Sequence, residues 1–493
     1  MSGHRTARVL IYTHRWLGIA LGVLFVVWFV SGIIMMYARM PELSSAERLA
    51  RLPAINPASI REAPPVYPEG EITRIAIGTL EGRPVYRITA RGRTGIVFAD
   101  AGGAAPLVDA DQAMRIARTF DGNVHELRYD ARLTDADQWS FNIRGRLPAH
   151  RIAVDDAAGT ELYVAEAGGD VLLRTTAAGR FWGWTGAVLH WIYFTPLRRN
   201  GPLWNGVVVW SSIAGTIMCI IGVVWGLWRV SPRRGYRLRQ KDAAAGRRTR
   251  LHWSPYAGWM RWHHWAGLVF GIVTTTWVFS GLLSMDPWDW HPGTAPTREQ
   301  RQRVAGGAID AADLTVDRLR AVLQSYAPSL PKEVEIIKFR GHYYATSANG
   351  IASISEPQSG VQARLPAGAM EPLPGLAMPG VTIERTAWLT EYDAYYYARD
   401  GALPLPVLRA QYADPQRTWL YFDPQRAAVV RKEERLTRLN RWLYHGLHSL
   451  DFPFLYYQRP LWDIVVIVLS LGGLVLSATT LTASWRRVKS RIT

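Results

Sequence analysis

The chain has 493 residues, 48% of them apolar, which excludes a disordered polymer and leaves room for two or three domains. Its single cysteine, Cys219, excludes a disulfide scaffold, an iron–sulfur cluster and a thiolate zinc site within one chain, so metal chemistry falls to His, Asp or Glu. Fifty-seven Lys and Arg against 40 Asp and Glu give a net charge of +17, which suits nucleic acid or membrane topology depending on where the charges lie.

Four stretches, roughly 16–38, 203–228, 264–285 and 461–485, are apolar over the ~20 residues that a membrane-crossing helix needs. The first follows a basic start but is long, ends in IIMMYARM and has no small-x-small cleavage site, so it reads as a retained anchor occupying 1–40. Residues 41–202 read as an exported α+β domain. PVYRITA, TGIVFAD, QWSFNIR and ELYVAEAGGDVLL alternate as strands, and ADQAMRIARTF is apolar at helical spacing. That domain ends in an interfacial helix, FWGWTGAVLHWIYF at 181–194, which breaks at Pro196. A second helix at 203–228, a basic loop at 229–263 and a third helix at 264–286 follow. The second exported domain, 287–460, echoes the strands in HYYATSANGIASI and RTWLYFDPQRAAVVR and again ends in an interfacial helix. Its stretch LPAGAMEPLPGLAMPG is too rich in Gly and Pro to predict a helix. The fourth helix and a short tail fill 461–493.

The charges settle the sidedness. The N-terminus, the 229–263 loop and the C-tail hold 3, 10 and 4 Lys or Arg and one acid, Asp242, so nearly all of the excess sits in three short pieces. The positive-inside rule places these in the cytoplasm and both large regions outside, in the periplasm of a Gram-negative cell. The run RVSPRRGYRLRQKDAAAGRRTR then reads as a cytosolic hairpin against anionic lipid headgroups rather than a nucleic-acid patch.

The sequence repeats itself. At a shift of 249, His14, Trp16, Gly18, Gly22, Trp28, Ser31, Gly32 and Met36 fall on His263, Trp265, Gly267, Gly271, Trp277, Ser280, Gly281 and Met285. At a shift of 258, Pro148, Arg151, Thr160, Leu162, Tyr163, Trp184, His190, Pro202 and Trp204 fall on Pro406, Arg409, Thr418, Leu420, Tyr421, Trp442, His448, Pro460 and Trp462. The expected architecture is an α+β membrane protein with four transmembrane helices as a parallel 2+2 repeat, its halves related by an axis along the membrane normal.

Such an axis places mates at one depth on opposite sides, so His14 with His263, and His190 with His448, would each offer one imidazole to a shared ion or cofactor. His14, Gly18 and Gly22 share one helix face, as do His263, Gly267 and Gly271. A glycine strip alone suits close helix packing; headed by histidine it also suits a flat macrocycle with apolar walls. His264 points about 100° from His263 and is a candidate second ligand or propionate partner, as is His445, three residues before His448. Zinc or copper would accept such imidazoles, but no HExxH or carboxylate cluster accompanies them, and two opposed ligands suit b-type haem. The absence of CxxCH excludes covalently attached haem. If both pairs stay at the bilayer edges, two irons stand about 30 Å apart, less if segment 181–194 dips inward.

HRWLGIALG and HHWAGLVFG, opening helices that end in Ser31-Gly32 and Ser280-Gly281, together with Leu189-His190 and Leu447-His448, resemble the PepSY-associated transmembrane proteins. DADQAMRIARTF followed by IAVDDAAGTELYV resembles a PepSY module in the first exported domain, while the second departs from that pattern. The family includes haem-containing reductases of iron–siderophore complexes in bacterial inner membranes. The resemblance therefore implies one or two b haems on His14, His263, His190 and His448. It implies electrons supplied by membrane quinol or a separate cytoplasmic reductase, and a ferric-siderophore or ferric-chelate substrate outside that releases Fe(II). Such a substrate would meet an aromatic surface of Trp288, Trp290, Tyr392, Tyr395, Tyr396 and Tyr397, with Arg144, Arg146 and Arg151 attracting an anionic chelate. Aromatics at such a place also serve as a membrane belt or as core. Two other readings compete: a haem or metal transporter, which needs a polar path the helix centres lack, and a membrane-anchored periplasmic binding or regulatory protein.

Overall fold

The computed structural model describes residues 2–68, 71–232, 236–237, 251–398 and 403–492, and the central part of the basic 229–263 loop lies outside them. The protein is an α+β protein of two compact units, Met1–Met40 with Gly179–His291 and Leu439–Thr493, and Pro41–Ala178 with Pro292–Arg438.

The first unit is built on four helices long and apolar enough to cross a membrane: α1 (Ser2–Met35), α2 (Gly201–Arg229), α3 (Trp259–Leu283) and α4 (Leu461–Ile492). They form a ring in which α1 and α3 each pack on α2 and α4. Neighbours run antiparallel: Gly215 of α2 meets Phe25 of α1 while Gly222, further along α2, meets His14, further back on α1. Small residues let large ones reach the centre. A Cβ on Gly215 would stand 3.1 Å from both Phe25 and Val278, and Gly472 and Gly473 of α4 lie directly beneath the rings of Phe270 and Phe29. Phe25, Phe29, Met218, Cys219 and Val278 form the buried centre, with Trp28 and Trp277 packed against it.

Two shorter segments that end in this unit share an unusual build. Helix Ala177–Gly183 passes into a π-helical turn, Trp184–Val188, then one turn, Leu189–Trp191; helix Arg435–Asn440 likewise passes into a π turn, Arg441–Gly446, and one turn, Leu447–Ser449. Each stops at a left-handed non-glycine residue, Ile192 (φ 55°) or Leu450 (φ 48°), a costly conformation, above all for a β-branched side chain. Indole N–H groups take up carbonyls left over at the break, Trp204 donating to Trp191 (2.9 Å) and Trp462 to Ser449 (3.0 Å).

The second unit holds three antiparallel sheets. The meander β1 (Ile72–Leu80), β2 (Arg83–Ala90), β3 (Arg93–Phe98) is followed, in residues 127–175, by β4 (Leu127–Leu133), β5 (Ala149–Val154), β6 (Glu161–Ala165) and β7 (Val171–Thr175). The later stretch gives β8 (Val334–Phe339), β9 (His342–Ser347) and β10 (Gly350–Ser353), then β11 (Ile383–Leu389), β12 (Val407–Tyr412), β13 (Trp419–Asp423) and β14 (Ala428–Glu433). β12 and β13 begin and end 258 residues after β5 and β6. The sequence divides these stretches into two domains, yet β1 and β8 pair antiparallel, with Ile75 opposite Ile336 and Ile77 opposite Val334, and merge both meanders into one six-stranded sheet. All four of those side chains are buried, each worth about 1.5–3 kcal/mol of transfer from water.

Two local expectations change. QWSFNIR, 138–144, is no strand: Asp137 Oδ1 accepts the backbone N–H groups of Trp139 and Ser140 and the Ser140 hydroxyl, and the chain continues as a 3₁₀ turn, Phe141–Arg146. Such local side-chain bonds compete with a sheet ladder. The Gly/Pro-rich stretch of the second half does form helix, in two pieces, Ala367–Met370 and Leu373–Ala377. Met370, Leu373, Pro374 and Ala377 are buried at the spacing of Ala113, Ile116, Ala117 and Phe120 in helix Ala110–Asp121.

Candidate functional site: two histidine pairs in the helical unit

His14, near the start of α1, and His263, near the start of α3, bring their ring centroids to 6.1 Å, with planes 47° apart. His190 and His448, on the turns that follow the two π segments, also stand at 6.1 Å, with planes 71° apart. A metal–imidazole bond of about 2 Å plus about 1.1 Å from nitrogen to ring centre puts two imidazoles on opposite sides of one ion about 6.3 Å apart. Both pairs have that spacing, and neither is stacked.

The hydrogen bonds fix which nitrogen points inward. His14 Nδ1 lies 2.9 Å from the Met218 carbonyl, which only accepts, so Nδ1 carries the proton. His263 Nδ1 faces the hydroxyls of Thr479 (3.2 Å) and Thr480 (3.3 Å), and both hydroxyls donate to the Leu476 carbonyl, so the ring again donates. His190 Nδ1 is 3.1 Å from Ser31 Oγ, whose proton goes to the Val27 carbonyl at 2.6 Å. His448 Nδ1 meets Ser280 Oγ and the Trp277 carbonyl, each at 3.1 Å. In all four rings Nδ1–H donates, leaving Nε2 with its lone pair, the state in which a histidine ligates a metal.

Among the described residues no three His, Cys, Asp or Glu side chains gather into a metal site, so the ligand sets are pairs. A pair of imidazoles fits a group that brings its own equatorial nitrogens, as porphyrin does, and leaves bare zinc two ligands short. Ser31 lies 17 residues beyond His14 on α1, and Ser280 as far beyond His263 on α3; at 1.5 Å per residue the two pairs are separated by roughly 25 Å along the bundle.

His264 belongs to neither pair. Its Nδ1 bonds Ser254 Oγ (2.8 Å) and its Nε2 the Gly226 carbonyl (2.9 Å), so both nitrogens are engaged and it is a buried strut rather than a second ligand. His445 packs on Tyr444 at 4.5 Å between ring centres. The four strip glycines face neighbouring helices: a Cβ on Gly18 would meet Thr480 (3.4 Å), on Gly22 Leu481 (2.9 Å), on Gly267 Leu476 (3.8 Å) and on Gly271 Val223 (2.9 Å). They serve close helix packing here. The glycines that touch the histidines are others, Gly222 against His14, Gly32 against His190 and Gly281 against His448. Gly222 falls on Thr480 at the 258 shift, so the two positions that flank the His14–His263 pair are mates, a signal present in the sequence.

The expected substrate residues fare unevenly. Tyr396 is fully buried, stacked on Tyr421 at 5.0 Å with its hydroxyl on the Pro404 carbonyl, and so is core. Arg151 is held by Asp130 (2.5 Å) and Asp137 (2.9 Å), and Arg146 by Asp170 (2.5 Å). Tyr395 packs edge-on against Trp419. Arg144 is exposed, and Trp288, in the helical unit, is 80% exposed.

None of the curated proteins compared matches the chain. The family model for the PepSY-associated transmembrane region matches residues 11–487, taking in all four long helices, both histidine pairs and the sheets between them. The chain is a membrane protein and belongs to the PepSY-associated transmembrane family.

Proposed function

We propose that this protein is an inner-membrane electron conduit that holds two b-type haems, one at each histidine pair, and reduces a ferric siderophore or similar ferric chelate on the periplasmic side. Bound haem supplies one-electron chemistry between Fe(III) and Fe(II), and two haems in series would span the bilayer. The chain's own part is positional. His14 and His263 hold one site, His190 and His448 the other, each presenting Nε2 with Nδ1–H tied back to a helix. The observation that carries the reading is the pair of 6.1 Å spacings together with the shared tautomer.

Three features support it. Each of α1 and α3 carries one ligand of the inner pair and, 17 residues on, a serine bonded to one ligand of the outer pair, so both sites hang on the same two rigid elements. Between the pairs the bundle centre carries Phe25, Phe29, Trp28 and Trp277 without a charged side chain, an aromatic partition that suits electron passage better than transport of an ion. Fe(III) is a hard ion gripped by chelating oxygens and Fe(II) is held less well, so a single electron suffices to release the metal.

The 249-residue register of α1 with α3 and the matching directions of the paired helices favour a duplicated helical unit with a two-fold axis along the membrane normal. The clustered Lys and Arg put both termini in the cytoplasm, where quinol or a separate reductase supplies electrons, and residues 41–178 and 292–438 in the periplasm. The test is rapid mixing: dithionite-reduced, haem-loaded protein freed of excess reductant should be reoxidised without oxygen by a ferric siderophore, with stoichiometric appearance of Fe(II). Haem that stays reduced over minutes would overturn the assignment.

A further inference from the structure

The segment Ser-Gly occurs near the outer end of α1 and again near the outer end of α3, and both residues of each copy touch a histidine. Ser31 and Ser280 are buried, 1% and 0% exposed. Each gives its only proton to a carbonyl of its own helix, Ser31 to Val27 at 2.6 Å and Ser280 to Trp277 at 3.0 Å. Each oxygen is left as an acceptor, 3.1 Å from Nδ1 of His190 or His448, and at His448 the Trp277 carbonyl accepts beside it at 3.1 Å. The next residue is glycine, and a Cβ there would stand 3.5 Å from Cε1 of His190 at Gly32 and 3.4 Å from Cε1 of His448 at Gly281, so the ring edges pack on the helix at ordinary van der Waals distance. A hydroxyl already donating to a carbonyl is polarised into a better acceptor, and a buried ring with no acceptor for its N–H carries a desolvation cost. The rings themselves sit between a π turn and a left-handed residue, so their own segments give them little latitude.

We infer that Ser31 and Ser280 are paired acceptors that position the outer histidines: Ser31 Oγ selects the Nδ1–H tautomer of His190, Ser280 Oγ shares the Nδ1–H of His448 with the Trp277 carbonyl, and each helps aim Nε2. This rests on the haem reading for its consequence, though not for its geometry. Donation from Nδ1–H raises the basicity of Nε2 and favours the ferric state, so these serines would hold the outer haem at a lower potential than bare imidazoles would.

The experiment has two arms. In haem-free protein labelled with ¹⁵N-histidine, the wild type should show Nδ1–H tautomers at His190 and His448. Ser31→Ala should bring in the Nε2–H form at His190 alone, while Ser280→Ala should leave His448 in the Nδ1–H form, because the Trp277 carbonyl still accepts at 3.1 Å. Ser211→Ala, which removes a helix serine bonded only to Val207 and Val208, should change neither. In haem-loaded protein, redox titration should show one of two midpoints moving positive in either variant, with the other unchanged. A folded Ser31→Ala variant that keeps the wild-type His190 tautomer would overturn the proposal. A wild type that takes up no haem would sink the electron-transfer reading, while the tautomer arm would still decide the role of the serines.

Discussion

Gly222→Ala is the sharpest structural perturbation of the inner pair. The added Cβ would stand 2.5 Å from Cε1 of His14, 3.1 Å from Nδ1 and 3.4 Å from Nε2. Non-bonded carbons rest at about 3.5–4.0 Å, so ring and helix must separate by about 1 Å. His14 has little slack, since its Nδ1 is tied to the Met218 carbonyl of the same helix at 2.9 Å, and a ring pushed off α2 loses that bond. Ligand bonds tolerate only about 0.2 Å, and overpacking of this kind costs about 1–3 kcal/mol even when the fold adapts. The inner site should therefore lose its six-coordinate spectrum or its haem, while the outer site keeps both. The assay is the haem-to-protein ratio by pyridine haemochrome, with reduced-minus-oxidised spectra, in wild type, Gly222→Ala and Gly226→Ala. A Cβ on Gly226 meets His264 only at 3.7 Å, so that variant should match wild type. A Gly222→Ala protein with unaltered haem content and spectrum would refute the placement of His14 as a ligand.

Other outcomes follow from the same contacts. His264→Ala should keep full haem content at reduced thermal stability, whereas His263→Ala should lose one haem; the reverse result would exchange their roles. Asp170→Asn should destabilise the β-sheet unit by about 3–5 kcal/mol, since it leaves the buried Arg87, 4% exposed, without its carboxylate partner. Burial pushes the Asp170 carboxyl up, but Arg87 and Arg146 outweigh that and hold it below its ordinary value. Its contribution is thus complete above the unfolded carboxyl range of about 3.9 and lost as pH falls through the depressed value, so wild type and variant should converge in thermal melts only below about pH 4. Tyr396→Phe should cost about 1 kcal/mol for the lost bond to the Pro404 carbonyl and leave the ferric-chelate dependence of haem reoxidation unchanged; a weakened dependence would return Tyr396 to the substrate surface.

That four histidines form two facing pairs is legible in the 249 and 258 registers, because a repeat carries long-range geometry that ordinary periodicity lacks. The partners of Nδ1 are not legible, since Met218, Thr479, Ser31 and Ser280 lie 159–216 residues from the rings they hold. Helical phase places Gly18 and Gly22 on the face of His14, but phase does not encode which neighbour the glycines meet, which is α4. Tyr396 belongs to a run of three tyrosines whose composition suggests a surface; only the fold shows its ring stacked on Tyr421. The broken helix of the second half kept its buried spacing while Pro374 and the glycines erased its propensity. The shared sheet was hidden for a further reason: pairing of β1 with β8 joins residues some 260 apart, and no local pattern encodes it.

The central claim is most directly tested by the absorption spectrum and haem content of protein purified from haem-replete cells. The account predicts two haems per chain, split α and β bands of a low-spin b-type centre on reduction, and loss of one haem with each of His14→Ala, His263→Ala, His190→Ala and His448→Ala. A colourless wild-type protein, or folded variants that keep both haems, would contradict it.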